Sequence, residues 1–187
     1  MHQLQFKSLV QLWDKSIYQS KGSQKKSKAY DGQFAVNALF SIEAFSTNPK
    51  TSNPVFCRDA LELFLNDIRD VRNDIIQKHT QQKEAWGDIM LVPFVAEKHR
   101  HDMHIDNKHL CRSTGLLLKT FASANNYLLD LHRAQHNEEI TDSEFMTARV
   151  ALLKSMNDLI YRIATKNQVF HVERKKLEGI NESRDAH

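Results

Sequence analysis

"HQLQFKSLVQLWDKSIYQ", residues 2–19, decides how this 187-residue chain is read. Its first residues alternate: Gln3, Gln5 and Lys7 fall on one side, Leu4 and Phe6 on the other, the period-2 pattern of a strand. A strand so short is not stable without a partner strand. From Leu9 the period becomes that of a helix, because Leu9, Leu12, Trp13, Ser16 and Ile17 share one face with Gln11, Asp14 and Lys15 opposite. The helix is expected to stop near Ser20 to Gly22, where periodicity ends and a glycine follows.

Outward from that stretch, "SKGSQKKSK" (20–28) is a basic linker, and the lysines at 15, 21, 25, 26 and 28 face a single carboxylate, Asp14. A second helix is expected from an N-cap at Asp31 through "GQFAVNALFSIEAF" (32–45), apolar almost all round and so buried on several sides. "STNPKTSNP" (46–54) holds two of the three prolines and marks a boundary, giving domains 1–47 and 48–187. Ser52 or Asn53 then caps a third helix with Pro54 at its first position, and Phe56, Ala60, Leu61, Phe64, Ile68, Val71 and Ile75 form its apolar stripe. "IMLVPFV" (89–95), interrupted by Pro93, reads as a short edge strand or a buried connector. Two more helices follow. The first, capped by Asp106, buries Leu110, Leu117, Leu118, Phe121, Leu128 and Leu131; the second opens on the Thr141/Glu144 capping-box spacing. Only "HRAQHNEEI" (132–140) separates them, so they should form an antiparallel hairpin. Beyond about Lys166 the pattern fades and a loose tail is expected.

Several function classes drop out. With 41% hydrophobic and 26% charged residues the chain is an ordinary globular protein, and no apolar run approaches the roughly 20 residues that span a bilayer. No secretory signal pattern opens it, so a cytoplasmic location is expected. Cys57 and Cys111 sit in apolar-periodic segments and read as buried free thiols. No nucleophile-elbow, phosphate-loop or dinucleotide motif occurs, and Asp67, Asp70 and Asp74 alternate with Arg69 and Arg72 as solvated helical ion pairs. An enzyme is not expected, nor a cofactor. His99, His101, His104 and His109 with Asp102 and Asp106 are a cluster of metal-ligating types, but Lys98 and Arg100 lie among them, and a structural or solvated role is expected instead.

The net charge of +3 does not by itself name a polyanion; its concentration in the amino-terminal lysines says more. A two-stranded antiparallel ribbon fits the DNA major groove, glutamine pairs bidentately with adenine, and lysine donates to guanine. Gln3, Gln5 and Lys7 would then read bases, and Lys21, Lys25, Lys26 and Lys28 would hold phosphates. The order strand, amphipathic helix, turn, apolar helix over the first 47 residues resembles the ribbon-helix-helix repressors, though the turn is longer than their compact type. An alternative register takes residues 33–46 and 54–78 as the two helices.

More broadly, "LQFKSLVQLWDKSIYQ", "YDGQFAVNALFSIEAF", "SNPVFCRDALELFLNDI" and "LLLKTFASANNYLLDLHRAQHNEEITDSEF" are similar, in order and in residue clusters, to the AcaB-like proteins of conjugative plasmids and integrative elements. That resemblance implies a ribbon-helix-helix transcriptional activator of conjugative-transfer genes. The expectation is therefore a mainly α homodimer in which one short strand pairs across the two-fold axis, followed by a helical carboxy-terminal domain. Its partners would be double-stranded DNA and, through that domain, RNA polymerase or another protein. Two readings stand beside it: a helical adaptor of a conjugation or secretion apparatus that binds no DNA, and a metal-dependent enzyme built on the histidines.

Overall fold

A computed structural model describes residues 3–18, 30–94 and 100–185. Among the described residues the chain is mainly helical, with one two-stranded sheet. In order come β1 (Gln3–Leu4), α1 (Lys7–Trp13), a 3-10 turn (Lys15–Tyr18), α2 (Gly32–Thr47), α3 (Pro54–Ala85), β2 (His101–Asp102), a 3-10 turn (Asn107–His109), α4 (Arg112–His136) and α5 (Asp142–Asp185).

The first helix is shorter than its apolar spacing suggests. At Asp14 the backbone turns extended, and the carboxylate accepts from the Ser16 amide at 2.8 Å and the Ser16 hydroxyl at 2.6 Å. That local side-chain bonding competes with the helical ladder. The result is a 3-10 turn whose Ile17 is exposed, while Leu9, Val10 and Trp13 carry the burial. Asp31 caps α2 as expected, accepting from the Phe34 amide at 2.8 Å, and its other oxygen takes the Lys15 amide at 3.2 Å. One carboxylate thus joins the end of α1 to the start of α2. The join is tight: a Cβ on Gly32 would meet Trp13 Cε3 at 2.6 Å.

Between Gly32 and Phe45 only Asn37 and Ala44 are exposed, and the covering comes from α3, α4 and α5 of the same chain. Asn53 caps α3 through the Phe56 amide at 3.2 Å, with Pro54 at its start. The expected stripe is buried from Leu61 to Ile75, and the helix continues to Ala85. Residues 89–92 depart from the edge strand or buried connector expected over 89–95, of which Val95 lies outside the described residues. Ile89 is buried, but Met90, Leu91 and Val92 are 56%, 77% and 46% exposed. Asp106 caps the short 3-10 turn rather than α4, leaving Leu110 exposed; α4 starts later, with Cys111 as N-cap paired to Thr114. Glu43 of α2 completes that cap, its carboxylate accepting from the amides of Arg112 and Ser113 at 3.1 and 2.8 Å. Cys57 is buried as expected, whereas Cys111 is half-exposed because it occupies a helix end.

The α4–α5 hairpin forms, and Thr141 and Glu144 make their reciprocal box. The expected loose tail is instead helix to Asp185. Phe170 explains part of this, being 3% exposed and stacked on Phe56 at 5.6 Å, while the Arg174 guanidinium lies 4.1 Å from the Phe45 ring centre and pairs with Glu178. One buried cluster takes in Leu4, Leu9 and Trp13 together with Phe64, Phe121 and Ile160, so residues on both sides of position 47 share a single core.

Candidate nucleic-acid interface

The interface expected from sequence starts at β1, and its partner strand lies in the same chain. Gln3 pairs with Asp102 and Leu4 with His101, antiparallel. This corrects the expectation that the strand pairs across a dimer: residues 101–102 supply the ladder, 97 or more positions along the chain. Paired residues of an antiparallel ladder share a face. Leu4, fully buried, roots the ribbon in the core with the half-buried His101 beside it, and Gln3 and Asp102 face outward. Outside, the Gln3 Nε2 donates to Asp102 Oδ1 at 3.2 Å.

The three proposed base-reading residues do not lie along one strand. Gln3 stands on the ribbon. Gln5 is half-buried in the link to α1, where its backbone N–H donates at 2.9 Å to the Oδ1 of Asn125, a residue only 3% exposed. Lys7 is the first residue of α1, exposed, with its ammonium 5.2 Å over the Tyr18 ring. A cation in the first turn of a helix works against the macrodipole. Lys21, Lys25, Lys26 and Lys28 lie outside the described residues, as does His99.

The other histidines are separated in role. His101 pairs with Leu4, His104 gives its backbone carbonyl to Gln33 at 3.2 Å, and His109 packs on Phe40 with ring centres 4.6 Å apart. Among the described residues, no group of three or more His, Cys, Asp or Glu side chains is placed to hold a metal ion. Nor do the central aspartates pair with neighbouring arginines. Asp74 meets Lys78, Asp67 meets Lys166 of α5 at 2.5 Å, and Arg69 meets Glu62.

Three polar centres escaped the sequence reading. Asp130, 8% exposed at its side chain, accepts from His79 Nε2 and Arg133 at 2.9 Å each and from Lys83 at 3.3 Å. Burial pushes its carboxyl up, but those donors more than reverse this and hold it well below the usual carboxylate range. Among the described residues no hydroxyl or thiol hydrogen-bonds His79, so this pair has the geometry of a structural clamp between α3 and α4 rather than of a nucleophile and its base. His132 lies stacked between Phe6 and Phe94, with ring centres at 4.8 and 5.1 Å, and burial followed by the Arg149 charge pushes its imidazole down to about 4. Asn137 fixes the 89–92 turn: its Nδ2 donates to the carbonyls of Ile89 and Val92 at 2.8 and 3.1 Å, and its Oδ1 accepts from the Val92 amide at 2.7 Å. The sequence did carry a signal for one further residue, because Asn125 falls four residues after Phe121 on the buried stripe of α4, where a polar side chain needs a partner.

Comparison of the chain with protein-family models, with curated proteins and with solved structures finds no match.

Proposed function

We propose that the chain is a sequence-selective DNA-binding regulator of transcription whose recognition element is the β1–β2 ribbon formed within one chain. The observation that carries this reading is the Gln3 amide, exposed on the outer face of a two-stranded antiparallel ribbon that Leu4 anchors in the core. Such a ribbon fits a major groove about 12 Å wide, and a glutamine amide there pairs bidentately with adenine. Asp102, beside it, is an acceptor for the exocyclic amine of cytosine. Lys7 stands at the mouth of α1, and the lysines at 21, 25, 26 and 28 follow shortly in sequence, a distribution suited to phosphates. The resemblance to the AcaB-like proteins supplies the setting, activation of conjugative-transfer genes.

The test is a titration of labelled duplex with the full chain at two salt concentrations, followed by selection of a preferred site from random sequence. Binding should fall steeply with salt, by about 0.9 in log–log slope for each phosphate neutralised. Lys7→Ala should weaken all sequences alike, and Gln3→Ala should cost roughly 1–3 kcal/mol on the selected site only. Absence of duplex binding at low salt, or a selected site read equally well by Gln3→Ala, would refute the proposal.

A further inference from the structure

A groove of about 630 Å³ runs between α3 and α5 on the bundle. Its walls extend from Asp74 to Ala85 on α3, with Trp86 just past its end, and from Ser143 to Ser155 on α5, with Tyr127 and Leu131 of α4 behind. Twelve helical residues rise about 18 Å, so both walls are about three turns long. The gap exists because most of the α5 side chains that face it are small: Ser143, Thr147, Ala148, Ala151 and Ser155. Larger apolar groups lie at its floor, with Ile75 2%, Tyr127 3% and Leu152 4% exposed, and the half-buried Trp86 closes one end of the α3 wall. The volume falls in the roughly 300–1,000 Å³ range of clefts that take ligands.

The charge of the groove is one-sided. Asp74, Glu139 and Glu144 contribute three carboxylates against the single ammonium of Lys78, which is drawn onto Asp74 at 2.8 Å. The carboxylates are also fixed in place: Glu139 accepts from the Gly87 amide at 3.0 Å and Glu144 from the Thr141 amide at 2.8 Å. Gly87 in turn begins the turn that Asn137 holds, from which Met90, Leu91 and Val92 project into solvent. Contiguous exposed apolar side chains of this kind mark interaction sites. Length, apolar floor and acidic rim together fit one occupant.

We infer that the groove docks a basic amphipathic helix of a protein partner, about three turns long, with apolar side chains over Tyr127 and Leu152 and Lys or Arg side chains against Asp74, Glu139 and Glu144. The inference does not rest on the DNA reading, since no residue of the ribbon lines the groove. Charge complementarity of this kind sets partner choice and association rate.

Trp86 makes the test direct. It lies in the groove, and the second tryptophan, Trp13, is fully buried elsewhere in the core. The full chain is titrated with an amidated 14-residue peptide carrying Leu and Phe at i, i+3, i+4 and i+7 with Lys at the remaining positions, and with the same peptide carrying Glu in place of Lys. The Lys peptide should shift Trp86 emission saturably and bind at least tenfold more tightly than the Glu peptide. Ala151→Leu fills the groove at an exposed position, and Thr147→Lys adds a positive charge at its acidic rim; each should weaken the Lys peptide at least tenfold while the helical circular dichroism is kept. No saturable shift, equal affinity for the two peptides, or unchanged affinity in both variants would overturn the inference. So would sedimentation showing a dimer of the chain that Ala151→Leu dissolves, which would assign the groove to a second copy.

Discussion

Replacing Asn125 tests whether the amino-terminal ribbon belongs to its own chain. Asn125 is 3% exposed, and its side-chain oxygen accepts the Gln5 amide at 2.9 Å, next to the fully buried Leu4. With Asn125→Ala that N–H loses its acceptor, and a buried unpaired donor costs about 1–3 kcal/mol. Gln5 is half-buried and keeps some access to water, so about 2 kcal/mol is expected. For a chain of this length that lowers the melting temperature by about 4–8 °C, at roughly 2–4 °C per kcal/mol. Asn125→Leu separates the causes, because it fills the volume and still offers no acceptor. It should recover little. Urea unfolding gives the free energies, and amide hydrogen exchange locates them: the Gln5 amide should lose protection in both variants while amides in the middle of α4 keep theirs. If both variants stay within 0.5 kcal/mol of the parent, or the Gln5 amide is unprotected in the parent, the ribbon is not held by this bond and the reasoning fails.

Two further predictions concern the packing around the ribbon and the long last helix. His132 titrates near 4 in the folded chain and near 6.5 when unfolded, so the unfolded state binds its proton first; its contribution is full above about pH 6.5 and is lost as pH falls toward about 4. Discounted for the partial exposure of the ring, this is roughly 1–2 kcal/mol, and His132→Phe, which keeps the stack with Phe6 and Phe94, should flatten the stability-versus-pH slope between 7 and 5; identical slopes would refute it. Phe170, 3% exposed against Phe45 and Phe56, should cost about 3–5 kcal/mol when changed to Ala, and a chain ended at Lys166 should lose at least as much in urea unfolding, whereas an unchanged midpoint would restore the loose-tail reading.

What the sequence made legible was local. Asp31, the Asn53–Pro54 pair and the Thr141/Glu144 box each place a side-chain acceptor beside an amide three residues away, and all three mark true helix starts. Helical stripes were legible too, because Leu61 to Ile75 repeat at the helical period on one face. The misses come from partners distant in sequence or from side chains that compete with periodicity. Nothing near Gln3 announces that residues 101–102 will pair with it, and nothing near Phe170 announces Phe45 and Phe56. Asp14 stands inside an apolar repeat that favours helix, yet its carboxylate takes Ser16 and ends α1 there. Met90, Leu91 and Val92 look like core by composition; their exposure follows from the carbonyls and amide that Asn137 captures from a loop 45 or more residues away.

If the ribbon reads DNA as proposed, the placement of β1 also limits how. Only Gln5 and Phe6 join it to α1, and two residues span at most about 7 Å. β1 therefore cannot cross to a partner chain without drawing α1 after it, and α1 holds Leu9, Val10 and Trp13 in the core, with Trp13 edge-on to Phe121 at 5.1 Å. The amide of Gln5, beside the strand, is already taken by Asn125. α2, whose apolar circumference pointed to a second chain, is covered within this one. The two features that called for an intertwined dimer are thus met in a single chain, and each chain carries its own complete ribbon. Ribbons shared across a two-fold axis read palindromes, because operator symmetry mirrors protein symmetry. A ribbon complete in one chain imposes no such symmetry, so the site selected from random duplex should be short and non-palindromic, with a binding curve of first order in protein. A palindromic site bound with second-order dependence would mean that DNA draws two chains together, and the cis ribbon would no longer be the reading unit.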